Sequence, residues 1–203
     1  MLTVGLTGSI AVGKSFVCSV FRELGCHVLD ADLTAREVVT PGSDGLAKVV
    51  QAFGAEVVTP AGELDRKKLG AVIFADEKKR ELLNSILHPL IIEAQDRWIS
   101  DVRTADPTGV VIVDAALMIE SGGYRRFDKL IVVWCDPDIQ LQRLRSREDL
   151  DETAAKARIA LQMPQEEKKR FADYLIDTSA GFDDARKRTI DVFNHMQVIA
   201  GKA

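Results

Sequence analysis

The chain has 203 residues, of which 46% are hydrophobic and 29% are charged, a composition typical of one compact unit that could carry a small inserted domain. Its formal net charge of -4 excludes the broad positive field of a DNA- or RNA-binding protein, so no nucleic-acid partner is expected. The sequence lacks both an apolar run of membrane-spanning length and the basic and apolar segments of a signal peptide, so we expect a cytoplasmic protein without a membrane partner.

Cysteine usage agrees with that expectation. Cys18, Cys26 and Cys135 follow neither a C-x-x-C pattern nor the spacing of metal ligands. We therefore expect reduced thiols in a reducing compartment.

The first motif along the chain is a phosphate-binding loop. Residues 8–15 fit G-x-x-x-x-G-K-[ST] and lie between a predicted strand at 2–6 and a predicted helix at 15–24. Gly8 and Gly13 let the backbone approach a polyphosphate closely and turn its N–H groups toward it. Lys14 is then placed to reach the β- and γ-phosphates, and the Ser15 hydroxyl to ligate Mg²⁺.

Two carboxylates follow the second predicted strand, at 26–30. Ligands of open α/β sheets bind beyond the carboxyl ends of strands, so Asp30 or Asp32 could orient an acceptor hydroxyl and take its proton. If the strand continues, the alternation of side chains places Asp30 and Asp32 on the same side. Alternatively, one of the two aspartates caps the next predicted helix, at 33–39, and Asp32 could do this alone. The residue types leave both roles open.

Residues 43–103 are predicted to be mostly helical. Three capping residues mark the starts of the first helices: Ser43 before 44–53, Asp65 before 66–74 and Asp76 before 77–87. We expect His88-Pro89 to break the pattern, with Pro89 in the first turn of a further helix at 90–103. Because these helices are inserted between strands, we interpret them as a subdomain that covers the acceptor site. A lone histidine such as His88 is more often structural.

A buried strand at 110–113 ends in Asp114, where phosphate-loop proteins commonly place an Asp that holds Mg²⁺ through water. Glu120 is a candidate for the acceptor pocket, although the local pattern favours a solvated residue in a short helix. Another buried strand, at 129–135, precedes Asp136-Pro137, which is typical of a helix start.

The helix after Pro137 carries Arg143 and Arg147, spaced i, i+4 on one face. Two guanidinium groups on one face suit phosphate oxygens and could neutralise the transferring group. Alternatively, the helix is solvated and pairs with Glu148, Asp149 and Asp151, which the charge pattern alone favours. Helices at 153–161 and 166–171, a last strand at 173–177 and a terminal helix at 182–199 complete the prediction. By fold analogy, the loop after the last strand passes near the nucleotide base.

These motifs together give the chain a resemblance to the dephospho-coenzyme A kinase family over nearly its whole length. The matching segments are, in order, Gly5-Leu6-Thr7-Gly8-Ser9-Ile10 with Gly13-Lys14-Ser15, Asp30-Ala31-Asp32 with Arg36 and Pro41-Gly42, Leu87-His88-Pro89-Leu90-Ile91, residues 114–120, Gln140-Leu141-Gln142-Arg143-Leu144 with Arg147, Gln162-Met163-Pro164, and Ala172-Asp173-Tyr174-Leu175-Ile176-Asp177.

The resemblance implies that ATP phosphorylates the ribose 3′-hydroxyl of dephospho-CoA, giving CoA and ADP in the last step of CoA synthesis. It implies an α/β fold of the P-loop NTPase type, three-layered α/β/α with a parallel sheet. The expected nucleotide-binding core is 1–32, 107–137 and 172–203, the helical CoA domain 33–106, and the helical lid 138–171. The small-molecule partner is dephospho-CoA, and the interpretation favours a monomer.

The resemblance also assigns roles to residues. Asp32 is implied as the catalytic base, with Lys14 and Arg143 acting on the phosphates. The implied acceptor site consists of Asp30, Asp32, Arg36 and His88. The implied ATP site consists of Gly8, Ala11, Val12, Gly13, Lys14, Ser15, Phe16, Arg143 and Arg147, with Ser15 as the Mg²⁺ ligand.

The chain departs from the family pattern at several positions. Ser9 and Ala11 stand where the family usually has Gly, Val12 where it often has Ser, Phe16 where it has Thr, and Ala116 and Ile119 where it has Pro and an aromatic residue. Thr178 and Ala180 replace Asn and Gly near the expected adenine site, which leaves base selectivity open.

Two other functions stay open at this point. One is a kinase of the same fold with a different nucleotide or small alcohol as acceptor. The other is a regulatory NTP switch, which would need a base-reading motif such as Asn-Lys-x-Asp that the sequence lacks.

Overall fold

The computed structural model describes residues 1–201 and divides the chain into two compact units. The first unit consists of Met1–Leu29 and the chain from Val102 onward, and it holds most of a β-sheet. The second unit, Asp30–Asp101, is mainly helical.

The sheet has five strands in the order β2-β3-β1-β4-β5. The strands are β1 (Leu2–Thr7), β2 (His27–Asp30), β3 (Val110–Asp114), β4 (Lys129–Trp134) and β5 (Tyr174–Asp177). β1 lies in the centre and pairs in parallel with β3 and β4, and β4 pairs in parallel with β5. The carboxyl ends of these strands therefore lie along one edge of the sheet, where the phosphate loop begins.

Helices lie between and after the strands, and some of them contribute to the core of the first unit. They are α1 (Lys14–Glu23), α2 (Ala31–Glu37), α3 (Asp44–Phe53), α4 (Arg66–Ala75), α5 (Glu77–Ala105), α6 (Pro137–Glu148), α7 (Glu152–Ala160), α8 (Gln165–Lys169) and α9 (Phe182–Ile199). Phe21 of α1 and Met196 of α9 are buried with the apolar strand residues in one cluster. The predicted three-layer α/β/α fold with a parallel sheet is confirmed.

Local signals account for several helix ends. α1 ends just before Gly25, whose φ of +87° suits glycine because it has no Cβ. The Ser43 hydroxyl accepts the Leu46 N–H at 3.2 Å and so caps α3. The Asp65 carboxylate accepts the Lys68 N–H at 2.9 Å and caps α4. These three predicted boundaries are confirmed.

The second unit has a small core of its own. Val39, Val49, Val57, Leu69 and Leu83 are buried together. An open apolar depression of about 170 Å³ lies beside this core, between residues of α2, α4 and α5. Within residues 1–201, no helix is long and apolar enough to cross a membrane.

The predicted break at His88-Pro89 is wrong. α5 runs without interruption from Glu77 to Ala105, with Pro89 inside it. Proline has no N–H to donate to the carbonyl of Ser85, four residues earlier, and this normally disfavours a helix interior. Buried residues on both sides of Pro89, including Leu83 and Ile99, fix the two halves of α5 as one helix.

We expect Pro89→Ala to raise the free energy of unfolding by about 1–2 kcal/mol, because alanine restores the missing N–H and removes the ring clash. Pro89 is exposed, so no packing is lost. Urea denaturation measures the change, with Pro137→Ala as the matched control. Pro137 is the first residue of α6, where an N–H has no partner within the helix, so its replacement should change stability by less than about 0.5 kcal/mol. Equal effects of the two substitutions would contradict this account of α5.

Candidate active site

The phosphate loop follows β1, and close packing sets its shape. A Cβ at Gly8 would lie 2.5 Å from the carbonyl oxygen of Val133 in β4, so only glycine fits there. Gly13 has a φ of +88° and lies against Thr178. The two glycines of the motif are thus required by a close approach and by a left-handed backbone.

Ala11 also adopts a left-handed conformation, with a φ of +62°. A residue with a Cβ is disfavoured there by about 1–2 kcal/mol. Ala11 stands where the resembling family usually has glycine, so this departure places backbone strain inside the loop.

Side chains from distant parts of the chain hold the outside of the loop. Gln162 accepts the Ile10 N–H at 2.7 Å, and the Gln140 side chain donates to the Ile10 carbonyl at 2.8 Å. The Thr178 hydroxyl donates to the Val12 carbonyl at 2.7 Å. None of the three contacts has a local sequence signal, because each joins residues more than a hundred positions apart.

Lys14 forms an ion pair with Asp114, the last residue of β3. The side chains are 18% and 11% exposed, so the pair is largely shielded from water. The other Asp114 oxygen accepts a hydrogen bond from the Cys18 thiol at 3.4 Å. Burial, together with the Asp114 carboxylate, raises the pKa of Cys18 far above its ordinary value, so this thiol is a neutral donor and not a nucleophile.

Ser15 and Phe16 lie in the first turn of α1. Ser15 is exposed, as a Mg²⁺ ligand at this position requires. Among residues 1–201, no group of three or more His, Cys, Asp or Glu side chains could hold a metal ion by itself. A Mg²⁺ ion that arrives with ATP fits this arrangement, because it takes most of its ligands from phosphates and water. The Phe16 N–H donates to the Gly13 carbonyl at 3.1 Å, and its ring packs on Phe182 with centroids 4.7 Å apart.

Arg143 and Arg147 have different partners, although they share a face of α6. Arg143 donates to the hydroxyl of Thr178 at 2.9 Å and to its carbonyl at 2.8 Å. Arg147 is exposed and pairs with Glu148 at 2.7 Å, as the solvated-helix alternative predicts. The structure therefore brings only Arg143 to the edge of the phosphate loop, through Thr178.

Glu120 is exposed, as the interpretation of a solvated residue predicts, but the predicted short helix around it is wrong. It lies in a series of turns after β3, and its carboxylate pairs with Lys168 at 2.9 Å and accepts the Met163 N–H at 3.1 Å. The Lys168 side chain is fully buried and also donates to the Ala116 carbonyl at 2.8 Å. Burial lowers the pKa of Lys168, and Glu120 opposes that shift. The carboxylate is therefore the counter-charge that a buried ammonium needs.

Sequence reasoning missed Lys168 altogether. It lies in the run Glu-Glu-Lys-Lys, which is typical of a solvated helix face. Nothing in the local sequence marks this lysine as buried.

The remaining candidates belong to the helical unit. β2 ends at Asp30, whose carboxylate accepts the N–H groups of Asp32 at 2.8 Å and Leu33 at 3.1 Å. Asp30 is thus the cap of α2, and the alternative that one of the two aspartates caps the next helix is confirmed, with Asp30 and not Asp32 as the cap. The same-side placement of the two aspartates is wrong. The reason is that the chain becomes helical at Ala31 instead of continuing as a strand. Asp32 and Arg36 are exposed and spaced i, i+4 on α2. His88 is exposed on α5.

Comparison with known proteins gives a consistent picture along nearly the whole chain. The sequence model of the dephospho-CoA kinase family matches residues 2–184. Dephospho-CoA kinase of Geobacillus kaustophilus is 40% identical over 200 residues, 98% of each chain. The Streptomyces avermitilis enzyme of that name is 43% identical over 193 residues, 95% of this chain and 93% of the relative.

Solved structures agree with these relatives. Dephospho-CoA kinase from Campylobacter jejuni matches with a TM-score of 0.73 at 27% identity, covering 96% of each chain. The protein TT1252 from Thermus thermophilus reaches a TM-score of 0.81 at 25% identity, covering 96% of this chain and 97% of its own.

We expect Ala11→Gly to raise the free energy of unfolding by about 0.5–1 kcal/mol, because the relief of left-handed strain exceeds the entropy lost by glycine on folding. Ala157→Gly is the matched control. Ala157 is exposed in α7, where glycine should lower stability by about 1 kcal/mol. Thermal and urea unfolding of both variants give the two signs, and a loss of stability in both would refute the strain at Ala11.

Proposed function

Because the chain belongs to the dephospho-CoA kinase family, we propose a role in that family's reaction for each of its site residues. The chain is a kinase that transfers a phosphoryl group from ATP to the ribose 3′-hydroxyl of dephospho-CoA, giving CoA and ADP in the final step of CoA biosynthesis. The observation that carries this function is the family match, which extends from the phosphate loop to α9. The alternatives of a different acceptor and of a regulatory switch have no comparable support.

The phosphate loop is the proposed ATP site. Backbone N–H groups of the loop and of the first turn of α1 would face the polyphosphate, except that of Ile10, which donates to Gln162; the Phe16 N–H would be shared with the Gly13 carbonyl. The positive end of the helix dipole adds to the attraction. This group comprises Gly8, Ala11, Val12, Gly13, Lys14, Ser15 and Phe16. The left-handed backbone at Ala11 and Gly13 supports the proposal, because it produces the concave run of N–H groups that binds anions.

Lys14 acts on the β- and γ-phosphates in this proposal. Asp114 holds its ammonium group at the carboxyl edge of the sheet, so the charge is already in place when ATP binds. Ser15 would hold Mg²⁺, which when bound neutralises charge on the phosphates. Asp114 is close enough to the loop to contribute through water.

Asp32 is the proposed catalytic base for the 3′-hydroxyl. Its support is that Asp30 makes the capping bonds of α2, so the exposed Asp32 carboxylate is left for another role. Arg36, one turn later, carries a guanidinium suited to an anionic group of the acceptor. Asp30 and His88 complete the proposed acceptor site, which assigns the helical segment 33–106 to dephospho-CoA.

Residues 138–171 are the proposed lid, with Arg143 stabilising the transferring phosphoryl group and Arg147 assisting it. The proposed nucleotide-binding core is 1–32, 107–137 and 172–203, of which 202 and 203 lie outside the described residues. The contact of Arg143 with Thr178, itself bound to the loop, supports its assignment. Arg147 has weaker support, because it pairs with Glu148.

We also propose that the protein works in the cytoplasm as a monomer. Cys18, Cys26 and Cys135 are buried and form no disulfide, as expected of a reducing compartment. All residues in the proposed mechanism come from a single chain, so one copy suffices.

The test of function is ADP release from Mg-ATP with and without dephospho-CoA. We expect strong stimulation by dephospho-CoA, with CoA as the product, and none by AMP, shikimate or pantothenate. Chromatography of the product identifies the phosphorylated compound. Slow ADP release that is indifferent to every acceptor would argue against the kinase function.

We expect Asp32→Asn to lower kcat by about 10²–10⁴-fold, because the base that takes the hydroxyl proton is lost, while the KM for ATP stays nearly unchanged. Steady-state kinetics with both substrates measure the change. Asp30→Asn should have a smaller effect, because Asn is as good a cap as Asp. Glu37→Gln, an exposed change on the same helix, is the matched control for lost charge. If Asp32→Asn turns over like the control, Asp32 is not the base.

A further inference from the structure

We propose that Thr178 is a positioning residue for ATP: its hydroxyl fixes a carbonyl group of the phosphate loop and couples that loop to Arg143. The proposal rests on the proposed role of the loop in binding ATP. It goes beyond that role, because Thr178 itself touches neither phosphate nor acceptor in the mechanism above.

The argument begins with the peptide groups of the loop. A loop that turns its N–H groups toward an anion turns other peptide oxygens away from it, and buried carbonyl groups without a donor are costly. The Gly13 carbonyl is satisfied within the first turn of α1, by the N–H groups of Phe16 and Val17. The carbonyls of Ile10 and Val12 instead accept hydrogen bonds from the side chains of Gln140 and Thr178.

The hydroxyl of Thr178 has a single proton, and the distances show where it goes. The Val12 carbonyl lies 2.7 Å from the hydroxyl oxygen, whereas the Trp134 carbonyl lies 3.4 Å away. The proton therefore belongs to the bond with Val12. The same oxygen also accepts a hydrogen bond from an N–H group of Arg143, at 2.9 Å. A cation that donates to a hydroxyl polarises it and strengthens the bond that the hydroxyl donates.

Thr178 is only 3% exposed, so water cannot easily replace its hydroxyl. Its position is fixed by its own N–H, which donates to the Trp134 carbonyl at 3.0 Å, and by its carbonyl, which accepts the second Arg143 bond. A Cβ at Gly13 would lie 3.3 Å from its hydroxyl oxygen and 3.4 Å from its methyl group. Thr178 is thus set directly against the loop at Gly13.

α6 consequently reaches the loop at two points. Gln140 holds the Ile10 carbonyl directly, and Arg143, one turn later, acts on the Val12 carbonyl through Thr178. α6 forms the first part of the proposed lid segment. The position of this helix and the orientation of the loop carbonyls are therefore linked. Loss of the Thr178 hydroxyl should therefore weaken ATP binding without touching the acceptor.

The test compares three variants by equilibrium ATP binding in a titration calorimeter and by steady-state kinetics of the full chain. Thr178→Val keeps the shape and removes the hydroxyl, and we expect ATP to bind about tenfold or more weakly, with the KM for dephospho-CoA within about twofold of the parent. Thr178→Ser restores the hydroxyl and should bind ATP within about twofold of the parent. Thr189→Val is the matched control, because Thr189 is equally buried but donates to Ala185 within α9.

Failure of this proposal can be distinguished from failure of the proposed function, because ATP binding is measured without any phosphoryl acceptor. ATP binding by Thr178→Val equal to that of the parent would overturn the proposal. ATP binding by Thr178→Ser as weak as that by Thr178→Val would show that the hydroxyl alone does not account for the effect and would also overturn the proposal. An equal rise of both KM values in Thr178→Val, matched by Thr189→Val, would indicate general destabilisation and overturn it as well. Should Thr178→Val fail to fold, Thr178→Ala replaces it with the same expectation.

Discussion

A loop that presents peptide N–H groups to an anion has to satisfy its remaining peptide groups from other parts of the protein. In this chain the loop after β1 takes those partners from three distant places: Gln140 in α6, Gln162 after α7 and Thr178 after β5. The sheet order explains why they are within reach. β1 is the central strand, and β4 and β5 follow on one side of it, so the segments after those strands end beside the loop. The fold and the loop's shape thus depend on each other.

Several cationic side chains lie around this loop, and Lys14, Lys168 and Arg143 each have a hydrogen-bonding or ion-pair partner. Lys14 pairs with Asp114, Lys168 with Glu120, and Arg143 binds the neutral Thr178. Lys14 also adds to the lowering of the Lys168 pKa, behind the larger effect of burial, so the two ammonium groups influence one another. Carboxylates thereby allow cations to be held with little exposure to water, and in the proposed mechanism they are in place before the substrate's negative charge arrives. Such preorganisation favours phosphoryl transfer, where little covalent chemistry is left to the protein.

The sequence correctly predicted those features of the fold that depend on interactions between neighbouring residues. Gly25 ended α1, Ser43 capped α3, and the phosphate motif lay between a strand and a helix, because each depends on a few neighbouring residues. The errors arose where packing outweighed local preference, as at Pro89, or where either of two nearby aspartates, Asp30 and Asp32, could cap α2. The inward-facing Lys168 and the contact of Arg143 with Thr178 had no signal at all, since they join residues far apart in sequence. The resemblance to a family supplied the reaction, which none of these local signals identifies.

The register of the sheet determines when the strands of the nascent chain can pair during synthesis. Leu2 in β1 pairs with Val110 in β3, so β1 meets this neighbour only after the intervening residues have been translated. At roughly 5–20 residues per second, that delay is on the order of 5–20 s. The helical unit is continuous in sequence and is complete before then. The Val12 carbonyl gains its donor still later, once Thr178 has been translated. The phosphate loop therefore takes its working shape well after its own residues have been made.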